Sequence, residues 1–323
     1  MRSIRMITIM MVFATTLCLT INAGAQDYPT KPVKVIVPFS AGSATDTIAL
    51  AVSKKLSEIW GQPVVTENVP GKGGTIGASA VAKAPSDGYT LFVYGAFAIS
   101  PFFHSNLPYD PLKDFTDIAP LVRQPLVLVV GPSVGIKSMS GLIAVAKSKP
   151  GQLKFGSPGT GSAAHLTAEK FRLVAGINMG HVPYKGGPET VKATNAGDVI
   201  FSFLPMALAK KTVKKGKLLA LGVTSMQRSR AMPEVPTIAE AGLAGFEFSL
   251  WWGLWAPAAI PISVVDKIEK DVARSLATSE LRKLFSKLGA EPMNMTSPEF
   301  AKFVRSEMES VARTVKEAGI KPK

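Results

Sequence analysis

Cysteine is almost missing: the 323 residues include one, Cys18, inside the apolar run ITIMMVFATTLCLTI. If that run is removed as a leader, no thiol remains, which excludes disulfides, a cysteine nucleophile and thiolate metal ligation. Histidine is scarce as well. His104, His165 and His181 stand at spacings that match no metal motif, such as two histidines four apart on a helix, so no metal is expected. No serine occupies a G-x-S-x-G elbow, which leaves a nucleophilic hydrolase without machinery. The glycine string Gly71-Lys72-Gly73-Gly74-Thr75-Ile76-Gly77 places Ile76 where a dinucleotide fingerprint needs its third glycine. A Gly-Lys-Ser/Thr phosphate loop is also absent, and no cofactor is expected. Asp46 and Glu67 have the chemistry of an acid and a base, but nothing in the spacing pairs them.

Acidic residues are the minority, 23 against 37 Lys and Arg, for a formal charge of +14. Such an excess suits nucleic acid, an anionic membrane face or anionic solutes. No basic motif interleaved with aromatics appears, and nucleic acid is not an expected partner. The densest group, Lys210, Lys211, Lys214, Lys215 and Lys217, has helical spacing and reads first as a solvated helix face.

At the N-terminus, Arg2 and Arg5 precede the apolar run, and Ala23-Gly24-Ala25 follows it as a small-residue cleavage site. Residues 1–25 are read as a signal peptide cleaved after Ala25; an uncleaved anchor is the rival reading. Cys18 lies inside the run after Thr15-Thr16-Leu17, without the small residues of a lipid-attachment box. Loss of Arg2 and Arg5 takes the formal charge from +14 to +12.

With 46% apolar and 19% charged residues, the chain is globular and long enough for two domains. KPVKVIVPF, a polar small-residue loop and an amphipathic pattern read as strand, loop and helix. PVVTENVPGKGGTIGASAVAKAPSDGYTLFVYG repeats that plan, with a helix opening near Thr75. A second unit runs from LVLVVGPS through a helix in SGLIAVAKSKPGQ, the strand LKFGSP, a helix from about Ser162 to Ala175, and the strands HVPY, DVIFSF and LLALGVTS. The aromatic strand FEFSLWWGLWAP and three helices close the chain. Alternation of this kind predicts an α/β fold with a largely parallel sheet. Crossover strands near QPLVLVV and FSLWWGLWAP then join two hinged lobes: 27–124 plus 248–323, and 125–247.

Two small-residue loops lie between a strand and a helix, PFSAGSATD at 38–46 and GSPGTGSAAH at 156–165. Unsatisfied N–H groups and the positive end of the helix dipole converge at such a junction, which suits an anion. Either loop alone is equally an ordinary helix cap. One in each lobe favours a site.

These loops and their surroundings also carry a family resemblance. YPTKPVKVIVPFSAGSATDTIA, GQPVVTENVPGKGGTIGASAVAKAPSDGYTL, LPYDPLKDF, GQLKFGSPGTGSAAHL, HVPYKGG and PEVPTIAEAGLAGFEF closely resemble the substrate-binding proteins of tripartite tricarboxylate transporters, the Bug or TctC-type receptors. The resemblance implies a Venus-flytrap, two-lobed periplasmic-binding-protein fold with a hinged cleft. It also implies a non-enzymatic, monomeric periplasmic receptor that closes on a small organic carboxylate and delivers it to the membrane subunits of the transporter. Carried over by position, the first loop supplies Phe39, Ser40, Ala41, Gly42, Ser43, Ala44, Thr45 and Asp46, and the second Ser157, Pro158, Gly159, Thr160, Gly161, Ser162 and His165. Ser43 and Thr45 are expected to donate hydroxyl bonds and Gly42, Ala44 and Gly161 to present amides. Asp46 is expected to cap a helix, Phe39 to form an apolar wall and His165 to act as a structural hydrogen-bonder.

Two departures bear on the ligand. Ser202 and Phe203 stand where many relatives have an acidic and a polar residue, which disfavours an amino acid with its ammonium group. Ala96, Phe97 and Ala98 replace small polar residues and a histidine. Phe97 and Ala98 either wall the cleft for an aromatic or aliphatic acid or simply pack in the core. A periplasmic sensor of the same fold and an exported enzyme are the alternative functions.

Overall fold

The computed structural model describes residues 28–321. The expected signal peptide and Cys18 lie outside the described residues. Among the described residues no helix is long and apolar enough to cross a membrane.

Alternating strands and helices build one continuous mixed sheet in two halves. Strand β1 (Val33–Val37) lies between β2 (Val64–Asn68) and β3 (Thr90–Tyr94), parallel to both. An antiparallel strand, β9 (Ser249–Pro257), then joins β3 to β4 (Phe115–Val130). The second half is β5 (Lys154–Ser157), β6 (Gly180–Pro183), β7 (Phe201–Pro205) and β8 (Leu219–Val223). The strand order is β2-β1-β3-β9-β4-β7-β5-β6, with β8 and the short β10 (Glu291–Pro292) pairing to β4.

Strand β4 is common to both halves. Its pairing with β9 ends at Pro125↔Ser249, and its pairing with β7 and β8 begins at Leu126↔Pro205 and Val127↔Val223. Thr224, fully buried, ties this junction together. Its hydroxyl accepts from Leu126 N at 2.8 Å and donates to Phe248 O at 2.5 Å, while its own N–H donates to Leu126 O at 2.9 Å.

Helices cover both faces. Helix α1 (Ala44–Trp60) turns Ile48, Val52 and Leu56, spaced four apart, into a core shared with Ile268 and Val272 of α7 (Ile262–Leu276). It stops at Gly61, whose left-handed φ of 64° closes the last turn. On the opposite face Phe92, Phe97, Trp255 and Phe300 pack under α2 (Thr75–Ala82) and the C-terminal α9 (Ser297–Glu317). In the second half, Phe155, Phe171, Phe201 and Phe203 form the core beneath α3 (Met139–Ser148) and α4 (Ala163–Ala175). Each buried phenylalanine contributes about 1.5–3 kcal/mol.

Helix α5 (Gly187–Ala196) was not marked by the apolar pattern, because its buried face is Thr190, Ala193 and Thr194 rather than large apolar residues. Two further helices, α6 (Met206–Lys214) and α8 (Ser279–Leu288), complete the layer. Helix α9 reaches across to the second half, where Val311 and Val315 pack with Leu166 of α4 and with Phe102 and Phe103.

Candidate functional site

Topology brings the two small-residue loops to the junction between the halves. Strand β1 is parallel to β3, and both β3 and β4 are antiparallel to β9, so β1 ends on the side where β4 passes into the second half. Strand β7 runs antiparallel to β4 and β5 parallel to β7, so β5 ends toward the same junction. Ligands of α/β sheets lie at the carboxyl ends of strands for this reason.

The loops share one local plan. In the first, Ser43 N donates to Ser40 O at 3.2 Å, and the Ser43 side chain caps α1 by accepting from Asp46 N at 3.2 Å. Ser162 N in the second donates to Gly159 O at 3.2 Å, and the Ser162 side chain caps α4 by accepting from His165 N at 3.2 Å. Each capping serine follows a glycine at φ +80°, Gly42 or Gly161, in the left-handed region that disfavours a side chain. Gly42-Ser43-Ala44-Thr45-Asp46 and Gly161-Ser162-Ala163-Ala164-His165 are therefore one motif used twice.

That plan corrects the expected roles of Gly42 and Gly161. Neither amide is presented to a ligand: Gly42 N donates to Asp46 Oδ2 at 2.8 Å, and Gly161 N to His165 Nδ1 at 3.2 Å. The open donors are the first-turn N–H groups of Ala44, Thr45, Ala163 and Ala164, which have no acceptor among the described residues. Ser40, Ala41, Ala44 and Thr160 are exposed at the tips, with Ser43, Pro158 and Ser162 half-buried beside them.

Different supports hold the two loops. Asp46, 3% exposed, takes its second bond from Asn68 Nδ2 at 2.8 Å, and the same amide group donates to Phe39 O at 2.9 Å. Trp252 Nε1 donates to Thr45 Oγ1 at 2.9 Å, leaving the Thr45 hydroxyl proton for another acceptor. Phe39 packs edge-on against Tyr94, ring centres 5.0 Å apart.

Beneath the second loop, His165 stacks on His181 with ring centres 3.9 Å apart, and Phe155 extends the stack. His181 Nε2 lies 2.7 Å from Ser157 Oγ, which also accepts from Gly159 N at 3.2 Å. Ser157 is fully buried and so positions the loop instead of facing a solute. Burial first, and then the neighbouring His165, depress the His181 pKa from its ordinary 6.5 to about 4. Burial would raise Glu169, but bonds from His165 and Arg172 outweigh it and hold its carboxyl below the usual range.

Phe97, Ala98 and Ser202 do not belong to this surface. Phe97 is 1% exposed among Phe92, Tyr109, Phe115 and Trp255, which makes it core packing. Ala98 is fully buried, and so is Ser202, whose hydroxyl meets Thr194 Oγ1 at 3.0 Å. Residues outside the two loops support them instead: Asn68, Trp252, His181 and Phe103. Phe103 follows the 3₁₀ segment Ala96–Phe102 and sets its ring against Gly161, where an added Cβ would lie 3.2 Å from it. This contact joins the first half to the second loop.

Comparison with known proteins bears on the family and the fold. A family model for the tripartite tricarboxylate transporter family receptor matches residues 48–320. Protein BugT of Bordetella pertussis is 32% identical over 100% of both chains. Among solved structures, Rpa4515 of R. palustris, with adipate, superposes with a TM-score of 0.79 at 32% identity, covering 92% of this chain and all of that one. Periplasmic binding protein BugD superposes at 0.75 and 30% identity, covering 92% of this chain and 100% of its own. MatC of Rhodopseudomonas palustris, with bound malate, gives 0.72 and 31% identity, covering 89% and 100%. The fold is that of a two-lobed periplasmic binding protein.

Proposed function

The chain belongs to the tripartite tricarboxylate transporter receptor family, and from that premise we propose that it is a non-enzymatic periplasmic receptor that captures a small organic carboxylate for the membrane subunits of such a transporter. One observation carries the reading: the twice-used motif that leaves first-turn amides open at two helix N-termini, one in each half. Each terminus offers an incomplete donor set, so a carboxylate held by both completes its shell only when the halves approach. We place the hinge at the Pro125/Leu126 change of pairing and its companion at Phe248–Ser249, one residue from the lobe boundaries 124/125 and 247/248.

Phe97 and Ser202 are interior and no longer distinguish aromatic from aliphatic acids. The relatives with adipate and malate favour an aliphatic dicarboxylate. Residues 26–323 titrated with adipate, malate, aromatic acids, tricarboxylates and amino acids during thermal unfolding test this. A concentration-dependent rise in midpoint is expected for one carboxylate class. A chain that responds to none of them, or equally to all anions, overturns the assignment.

A further inference from the structure

A second concave surface lies apart from the two loops, a groove of about 530 Å³ with one wall from each half. The segment Gln227–Ala231 after β8 forms one side; the end of α7, helix α8 and the turn into β10 form the other. The walls are pressed together at Gly289, where a Cβ would lie 2.2 Å from Met206 Cγ at the start of α6. The width of the groove is therefore tied to the angle between the halves.

Its charge is one-sided. Arg228, Arg230 and Arg282 line it. Arg228 is engaged by Glu240 at 2.8 Å, and Glu291, the acid in the lining, faces Arg123 at 3.7 Å. Arg230 and Arg282 are exposed and form no ion pair among the described residues. One comes from each half. Apolar Leu276 and Met293 and the polar Asn294 share the lining. Guanidinium forks beside apolar lining suit carboxylate side chains carried on a chain, since each fork donates two parallel bonds to one carboxylate. A flat lipid surface does not enter a concavity of this kind.

We propose that this groove docks an acidic segment of a partner protein, seated across both halves with Arg230 and Arg282 as its two anchors. The proposal deepens the receptor reading and rests on it, because a surface shaped by the lobe angle lets a membrane partner distinguish a loaded receptor from an empty one. The probe is a fluorescein-labelled hexaglutamate peptide, followed by anisotropy on residues 26–323 at about 0.15 M salt, where long-range attraction is screened. Arg230→Glu plus Arg282→Glu is expected to weaken binding about tenfold or more, with each single change contributing. Lys214→Glu plus Lys215→Glu alters net charge equally outside the groove and is expected to change affinity less than about twofold. Equal losses in the two double variants, or none in either, overturn the proposal. Phosphatidylglycerol vesicles that bind the chain and lose it on the arginine changes, while the peptide does not bind, assign the groove to membrane and overturn it too. The carboxylate-induced rise in unfolding midpoint, measured on the same proteins, depends on the loops alone, so its failure is separable from failure at the groove.

Discussion

The two small-residue loops are built to one plan and held by different chemistry. In both, a left-handed glycine donates to the side chain four residues later, and a serine caps the helix. The acceptor is a carboxylate in the first loop and an imidazole in the second. Asp46 makes charge-assisted bonds, shorter and stronger than neutral ones, and Asn68 holds it from behind. His165 makes a longer, neutral bond, accepting from Gly161 N through Nδ1. The first loop is thus held by a carboxylate with two donors, and the second by an imidazole backed by stacked rings.

The largest expected effect separates these supports. Asp46→Asn places an amide group against the donors of Gly42 or Asn68 and should cost about 2–4 kcal/mol with loss of carboxylate binding; His165→Leu, which removes the acceptor of Gly161 and a donor to Glu169, should cost about 1–2 kcal/mol. Thermal unfolding with a solute titration reads both. Equal losses would mean that the charge on Asp46 does not set the loops apart.

Next come the glycines. Gly42→Ala meets no atom within 4 Å, so only backbone strain remains, about 1–2 kcal/mol. Gly161→Ala bears the same strain and also crowds Phe103 at 3.2 Å, and should destabilise more. Phe103→Ala in the same chain should recover the difference if that ring joins the halves.

Ser43→Ala and Ser162→Ala should each cost about 1 kcal/mol, the worth of an N-cap. A mismatch between them in unfolding free energy would break the shared plan at its most local step.

A last difference is a matter of pH. His181 binds its proton with a pKa of about 4 in the folded chain against 6.5 ordinarily. Its contribution to stability is complete above pH 6.5 and is lost as pH falls toward 4, where the unfolded chain alone takes up the proton. His181→Asn should flatten the decline of the unfolding midpoint across that window. An unchanged slope would remove His181 from the support of the second loop.

Much of the fold was legible because periodicity and turn chemistry are local. Spacing placed the helices from Thr75 and near Ser162, and the aromatic strand ending at Pro257, close to where they lie. Helix α5 escaped because small polar residues form its buried face. Both loops were legible as small-residue turns before capped helices. Phe97 was not, since its alternation fits a cleft wall and a core equally, and only the packing of Phe92, Phe115 and Trp255 around it decides.

The sequence by itself determined the α/β alternation, the two capped helix starts and the family, each written in contiguous residues. The tertiary structure alone decided which amides remain open, because the partners that consume the others are side chains whose reach depends on folded geometry. Asn68 and Trp252 lie 22 and 207 residues from the first-loop atoms they hold, and no local pattern encodes contacts over such separations.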